Sequence, residues 1–222
     1  MKAKHDSILK ELKHHAPFTL TGALTGIVIM LLFQNLRSEV SHKIFYVLHP
    51  VHVLLSALVT AGIYKLHRQK NGKKGANFLA VLIIGYVGSV GIATLSDSII
   101  PYIGEILLDM PNRGIHIGFI EKWQIVNPLA FLGILIAYFW PQTRIPHAGH
   151  VLLSTWASLF HIVMAKGEGL GVVSYLVVFV FLFLAVWLPC CLSDIIFPML
   201  FVKAEKVEDN AEDGNSSEQS QS

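Results

Sequence analysis

Two histidines three residues apart, His49 and His52, stand at the head of an apolar run that also carries Ser56 and Thr60. At roughly 100° per residue on a helix, these four side chains share one narrow polar stripe. The same stripe recurs at His147, His150, Ser154 and Ser158, and His161 extends it. Asp97 and Asp194 are the acids set well inside apolar runs, each directly after a serine, Ser96 and Ser193. A carboxylate in hydrocarbon costs roughly 2.5–3.5 kcal/mol on insertion scales, so it needs a cation, a proton or hydrogen-bond donors.

Two imidazoles and one carboxylate suit zinc, iron, manganese, cobalt or nickel better than calcium or magnesium, which prefer oxygen ligands. The expected ligands are His49, His52 and Asp97 in one set and His147, His150 and Asp194 in the other. They form either two separate sites or one shared site. Ser56, Ser96, Ser154, Ser193 and His161 form an accessory polar stripe, and the hydroxyls of Ser56, Thr60, Ser154 and Ser158 read as helix-packing groups rather than ligands. The rival reading makes Asp97 and Asp194 proton carriers or structural groups satisfied by His, Ser or Thr. Haem is disfavoured. His147 and His161 could serve two stacked haems, but Ile63 stands where His161 should have its counterpart.

Other polar residues read more plainly. Glu105 and Asp109 follow Pro101 and are expected at a solvated loop edge. The basic run from Lys65 to Lys74 reads as a topology determinant beside anionic headgroups. Gly85, Gly88 and Gly91 suggest close helix packing. Cys190 and Cys191 are adjacent and lack counterparts in the first half, which favours packing or lipid modification over ligation and implies no disulfide framework.

The elements that must position these residues are membrane helices. Of 222 residues, 53% are hydrophobic and only 14% are charged, against roughly 25% charged in a soluble domain. A span needs about 20 apolar residues, and open strands cannot cross lipid. Six spans are expected: 17–33, 44–66, 78–108, 128–140, 145–165 and 170–202. The third and sixth are long and carry Pro101, or Pro189 and Pro198, near their ends, where a kink is expected. No small-residue cleavage site follows the first span, so it does not read as a signal peptide. With both termini cytoplasmic, twelve of the 17 Lys and Arg fall inside, as the positive-inside rule asks. Residues 203–222 hold six acids and end in a Ser/Gln-rich stretch, which reads as a disordered cytoplasmic tail.

The chain also repeats itself. His49-Pro-Val-His52-Val-Leu-Leu-Ser56 matches His147-Ala-Gly-His150-Val-Leu-Leu-Ser154 at an offset of 98. Leu95-Ser96-Asp97 matches Leu192-Ser193-Asp194 at 97, and His5 and Pro17 match His116 and Pro128 at 111. The expected fold is therefore all-α, as two three-helix units, 1–110 and 111–202. Three spans per unit make the repeat inverted, an architecture that recurs in secondary transporters.

The function expected from this pattern is a multi-pass permease in the cell membrane for a divalent transition metal, with proton coupling through His. An intramembrane zinc hydrolase or non-haem iron oxidoreductase is the alternative, and a proton-linked transporter without metal is another. Against an enzyme, both halves keep the same residues, where catalysis normally wants one asymmetric site. The expected partners are the bilayer and the ion, with no nucleic acid and homo-oligomerisation left open. No phosphate-binding loop is present, so ATP would have to come from another subunit.

Overall fold

A computed structural model describes residues 2–70, 77–141, 144–167, 171–191, 197 and 201. These residues are all-α. Helix α1 runs Lys2–Leu32, α2 Ser38–Lys70, α3 Phe78–Thr94, α4 Ile100–Leu107, α5 Gly118–Glu121, α6 Trp123–Phe139, α7 Arg144–Ala165 and α8 Val172–Cys191. A single π turn, Leu95–Ile99, joins α3 to α4.

Among the described residues, three stretches are long and apolar enough to cross a membrane: Ser38–Gln69, Phe78–Leu107 and Val172–Pro189. Three shorter apolar helices, Ala16–Leu32, Trp123–Phe139 and Gly149–Ala165, accompany them. The helices differ from the expected spans mainly at their polar ends. Helix α2 begins six residues ahead of Ile44, with Glu39 in its first turn, where an acid meets the positive end of the helix dipole. Asn77 caps α3 by accepting from the Leu79 amide at 3.1 Å.

The kink expected at Pro101 takes a specific form. Proline has no N–H to donate to the preceding turn. The chain widens by one residue just before it, and the Ile100 amide reaches back to the Leu95 carbonyl. The Ser96 carbonyl, five residues ahead of Pro101, accepts instead from Ser158 Oγ at 2.9 Å, a hydroxyl whose one proton it shares with the Ser154 carbonyl at 2.8 Å. A side chain on α7 thus replaces the missing backbone donor, and Pro101 begins the next helix in the position where proline is best tolerated.

Helices α2 and α7 form the centre. Phe45 meets His161 and His52 meets His150, so the two run antiparallel. One apolar cluster, with Ala23, Met30, Leu159, Ile162, Val178 and Leu182, joins α1, α7 and α8. Another, with Ala57, Ala61, Tyr64, Ile84, Ile134 and Ala137, joins α6, α2 and α3. Close approaches are made at glycine. A Cβ at Gly133 would stand 2.4 Å from the Leu54 carbonyl oxygen, and one at Gly22 would stand 2.9 Å from Thr155 Oγ1. Gly85 and Gly88 also pack tightly, against Ile134 and Thr60, but Gly91 faces open space and does not serve packing as expected.

Polarity is sorted opposite to a water-soluble domain. His49, His52, Ser56, Asp97, Glu105, Ser154 and His161 are buried, while Leu24, Val28, Leu32, Val87, Val172 and Leu176 are exposed. Apolar groups outside and polar groups inside is the distribution that a lipid-solvated bundle requires.

Candidate metal centre

Asp97 sits on the π turn and is fully buried. Its Oδ2 accepts from His49 Nδ1 at 2.9 Å and from His52 Nδ1 at 2.7 Å. Its Oδ1 accepts from Ser96 Oγ and from Ser154 Oγ, both at 2.7 Å. Four donors match the four lone-pair sites of a carboxylate, so a buried anion that would otherwise be costly is satisfied on every side. The donors come from three elements: α2, the π turn and α7.

The two histidines reach one oxygen because they are three apart on α2 and converge on one face. His52 lies fourteen residues beyond Ser38, roughly 21 Å along the helix axis, well inside a helix long enough to span a bilayer. Their ligating atoms and that of Asp97 all lie within 4.8 Å of one another, so this buried group can hold a metal ion.

The same geometry offers a second donor set. Ligands on a tetrahedral ion with bonds of 2.0–2.1 Å stand roughly 3.3 Å apart. The 2.7 and 2.9 Å contacts are shorter and are direct hydrogen bonds. With Nδ1–H given to Asp97, each ring carries its lone pair on Nε2. His52 Nε2 is buried and has no hydrogen-bond partner. An imidazole fixed by a carboxylate through one nitrogen, with the other left open, is the usual outer-shell arrangement around metals. The ring of His150 lies parallel to that of His52, centroids 5.8 Å apart.

The expected site residues divide accordingly. His49, His52, Asp97, Ser96 and Ser154 meet, and His150 faces them. Ser56 is buried on the same helix. Ser158 serves the π turn. His161 is buried but turns to another partner: its Nδ1 donates to Glu105 Oε1 at 2.6 Å. The side chain of His147, the side chains of Cys190 and Cys191, and all of Ser193, Asp194 and the tail at 203–222 lie outside the described residues.

Glu105 overturns an expectation. It is fully buried, not at a solvated loop edge. Helix α4 continues for two turns past Pro101 and carries Glu105 back into the bundle, where it also accepts from the Gly114 amide at 3.3 Å. Asp109, by contrast, is exposed.

A second donor group was not foreseen. His42, His116 and Glu121 also bring their ligating atoms within 4.8 Å of one another, in a half-buried setting. His116 Nδ1 lies 3.4 Å from Glu121 Oε2, Tyr46 Oη donates to the same oxygen, and the Ile117 amide donates to Oε1 at 3.2 Å. Burial alone would raise the Glu121 carboxyl, but the bonds from Tyr46, His116 and the Ile117 amide outweigh it and hold it below its ordinary value. One sequence signal pointed here: His42 is two helical turns before His49 and continues its stripe.

Two substitutions probe the buried centre without removing a ligand. A Cβ at Gly118 would stand 2.4 Å from His49 Cδ2 and 2.5 Å from Nε2. Gly118→Ala should therefore turn His49 away from Asp97 and lower metal affinity by about 10-fold or more, measured by Co²⁺ titration; unchanged affinity would mean that His49 is not a ligand. Ser154→Ala removes one donor to Asp97 and should cost about 1–2 kcal/mol in stability, read from unfolding in detergent.

Comparison with family models, with curated proteins and with solved structures finds no match to this chain.

Proposed function

We propose that the chain is a multi-pass membrane carrier for a divalent transition-metal cation, bound by His49 and His52, with Asp97 as the carboxylate that orients both rings. The observation that carries this reading is the buried, partnerless Nε2 of His52 on a ring whose Nδ1 is fixed by a fully satisfied carboxylate. A neutral imidazole acceptor left open between helices calls for a ligand, and a borderline metal ion fits it.

The six apolar helices, the buried polar stripe and the apolar exterior support a membrane setting. An inverted repeat is supported by how the helices pack. Exchanging α1 with α6, α2 with α7 and α3 with α8 maps the α1/α7/α8 cluster onto the α6/α2/α3 cluster. Gly22 and Gly133 stand at the 111 offset, and the residues they approach, Thr155 and Ala57, stand at the 98 offset. His52 and His150, equivalent by the same offset, face each other with rings inclined by only 5°. On this reading His147, His150 and Asp194 form the equivalent half-site, and the two halves alternate access to an ion near the repeat interface. The twelve-to-five distribution of basic residues favours cytoplasmic termini.

One observation favours a second reading. The 2.7 and 2.9 Å contacts to Asp97 are closed hydrogen bonds as they stand, as a proton-linked transporter without metal would have. Flux into proteoliposomes separates the two. Wild-type protein should carry Zn²⁺, Mn²⁺, Fe²⁺, Co²⁺ or Ni²⁺ inward, and His49→Ala/His52→Ala should abolish that flux. Proton movement with no flux of any of these metals would sink the metal reading.

A further inference from the structure

The metal reading leaves Glu105, His161, His116, His42 and Glu121 without a task, yet they form a connected series. Their order follows the helix geometry. His42 lies near the start of α2, and His49 lies seven residues on, roughly 10 Å along the axis. The His42 and His116 rings have centroids 5.6 Å apart, and those of His116 and His161 are 5.4 Å apart. Two imidazoles sharing one tetrahedral ion at 2.0–2.1 Å would have centroids roughly 5.2 Å apart, so both spacings suit ligand pairs.

His161 supplies the independent indication of a ligand. It is buried, its Nδ1 is held by the fully buried Glu105, and its Nε2 has no hydrogen-bond partner. This repeats the carboxylate-fixed, open imidazole found at His52. Between His161 and His49 stands Phe45, fully buried, stacked on His49 at 5.3 Å and edge-on to His161 at 5.3 Å.

We propose that His42, His116 and Glu121 form a second, half-exposed site that captures a divalent transition-metal ion, and that His161, oriented by Glu105, is the next ligand on a route past Phe45 to the buried centre. The capture site stands on its own geometry; the route rests on the carrier reading. Two nitrogens and one oxygen form a borderline donor set, and the open side of the cluster leaves room for water ligands. Lys122, whose ammonium lies 5.4 Å over the Tyr46 ring, opposes a cation there and keeps the site weaker than the buried one.

The test is Co²⁺ titration of the full-length protein in detergent, followed by visible absorption and calorimetry. Wild type should show a tight and a weaker class of site. His42→Ala/Glu121→Gln should lose the weaker class by at least about 10-fold in affinity and keep the tight one. Lys122→Ala should tighten the weaker class. His49→Ala/His52→Ala should lose the tight class alone. A weaker class unchanged in His42→Ala/Glu121→Gln overturns the capture site whatever the buried centre does. A tight class unchanged in His49→Ala/His52→Ala overturns the carrier reading and leaves the capture site standing. For the route, His161→Ala should slow Co²⁺ uptake at saturation with both classes of site intact, and uptake at the wild-type rate would overturn it.

Discussion

Asp97→Asn should abolish tight metal binding, lowering affinity on the order of 100-fold, in a protein that still folds. The asparagine keeps one oxygen but turns an NH₂ toward groups that donate, and it removes the charge that His49 and His52 both address. Without that charge neither ring is held with its open nitrogen toward an ion. Asp97→Ala goes further. It strands two imidazole N–H groups and two hydroxyls in a buried centre, and breaking such a network costs about 3–5 kcal/mol. Metal titration of Asp97→Asn and thermal unfolding of Asp97→Ala in detergent check the two claims separately. Tight binding by Asp97→Asn would remove the carboxylate from the site.

Gly133→Ala is the second large effect expected, although Gly133 touches no ligand. Its Cβ would stand 2.4 Å from the Leu54 carbonyl oxygen and 3.0 Å from Ala57 Cβ. A backbone carbonyl cannot rotate away as a side chain can. Helices α2 and α6 must separate, at about 2–3 kcal/mol, and Leu54 lies between His52 and Ser56, so the metal centre moves too. Gly22→Ala is the internal control. Its obstacle is the Thr155 side chain, with Oγ1 at 2.9 Å and Cβ at 3.2 Å, a milder overlap than the one with the Leu54 carbonyl, so the loss should stay below about 1.5 kcal/mol. Equal losses at the two positions would contradict the close α2–α6 approach.

The buried centre was largely legible in the sequence because its chemistry is local and expensive. A His-x-x-His pair on one helical face and an acid within an apolar run each demand partners, and chain order brought Asp97 toward His49 and His52. The four-donor cage was less legible. Ser154 and Ser158 were read as packing groups, and their reach to Asp97 and to the Ser96 carbonyl depends on a π turn that no periodicity announces.

Glu105 departs from its expected loop edge because a proline ahead of an acid resembles the end of a helix. Here the π turn absorbs the lost hydrogen bond, and α4 runs on. The capture cluster depends on tertiary folding, since 109–122 turns back over the start of α2 and brings His116 and Glu121 to His42. That return leaves no trace in spacing. Helix ends were also underestimated at α2, where Ser38–Lys43 is too polar to look like a span yet continues the helix.

The most direct measurement is the metal retained by purified full-length protein carrying His42→Ala/Glu121→Gln, the variant expected to weaken the proposed peripheral site. Loaded with Zn²⁺, freed of excess ion and analysed by elemental content, this protein should keep a stoichiometric ion. The same protein with His49→Ala/His52→Ala should keep none while remaining folded. Metal at background in the first, or equal metal in both, would contradict a metal centre at His49, His52 and Asp97.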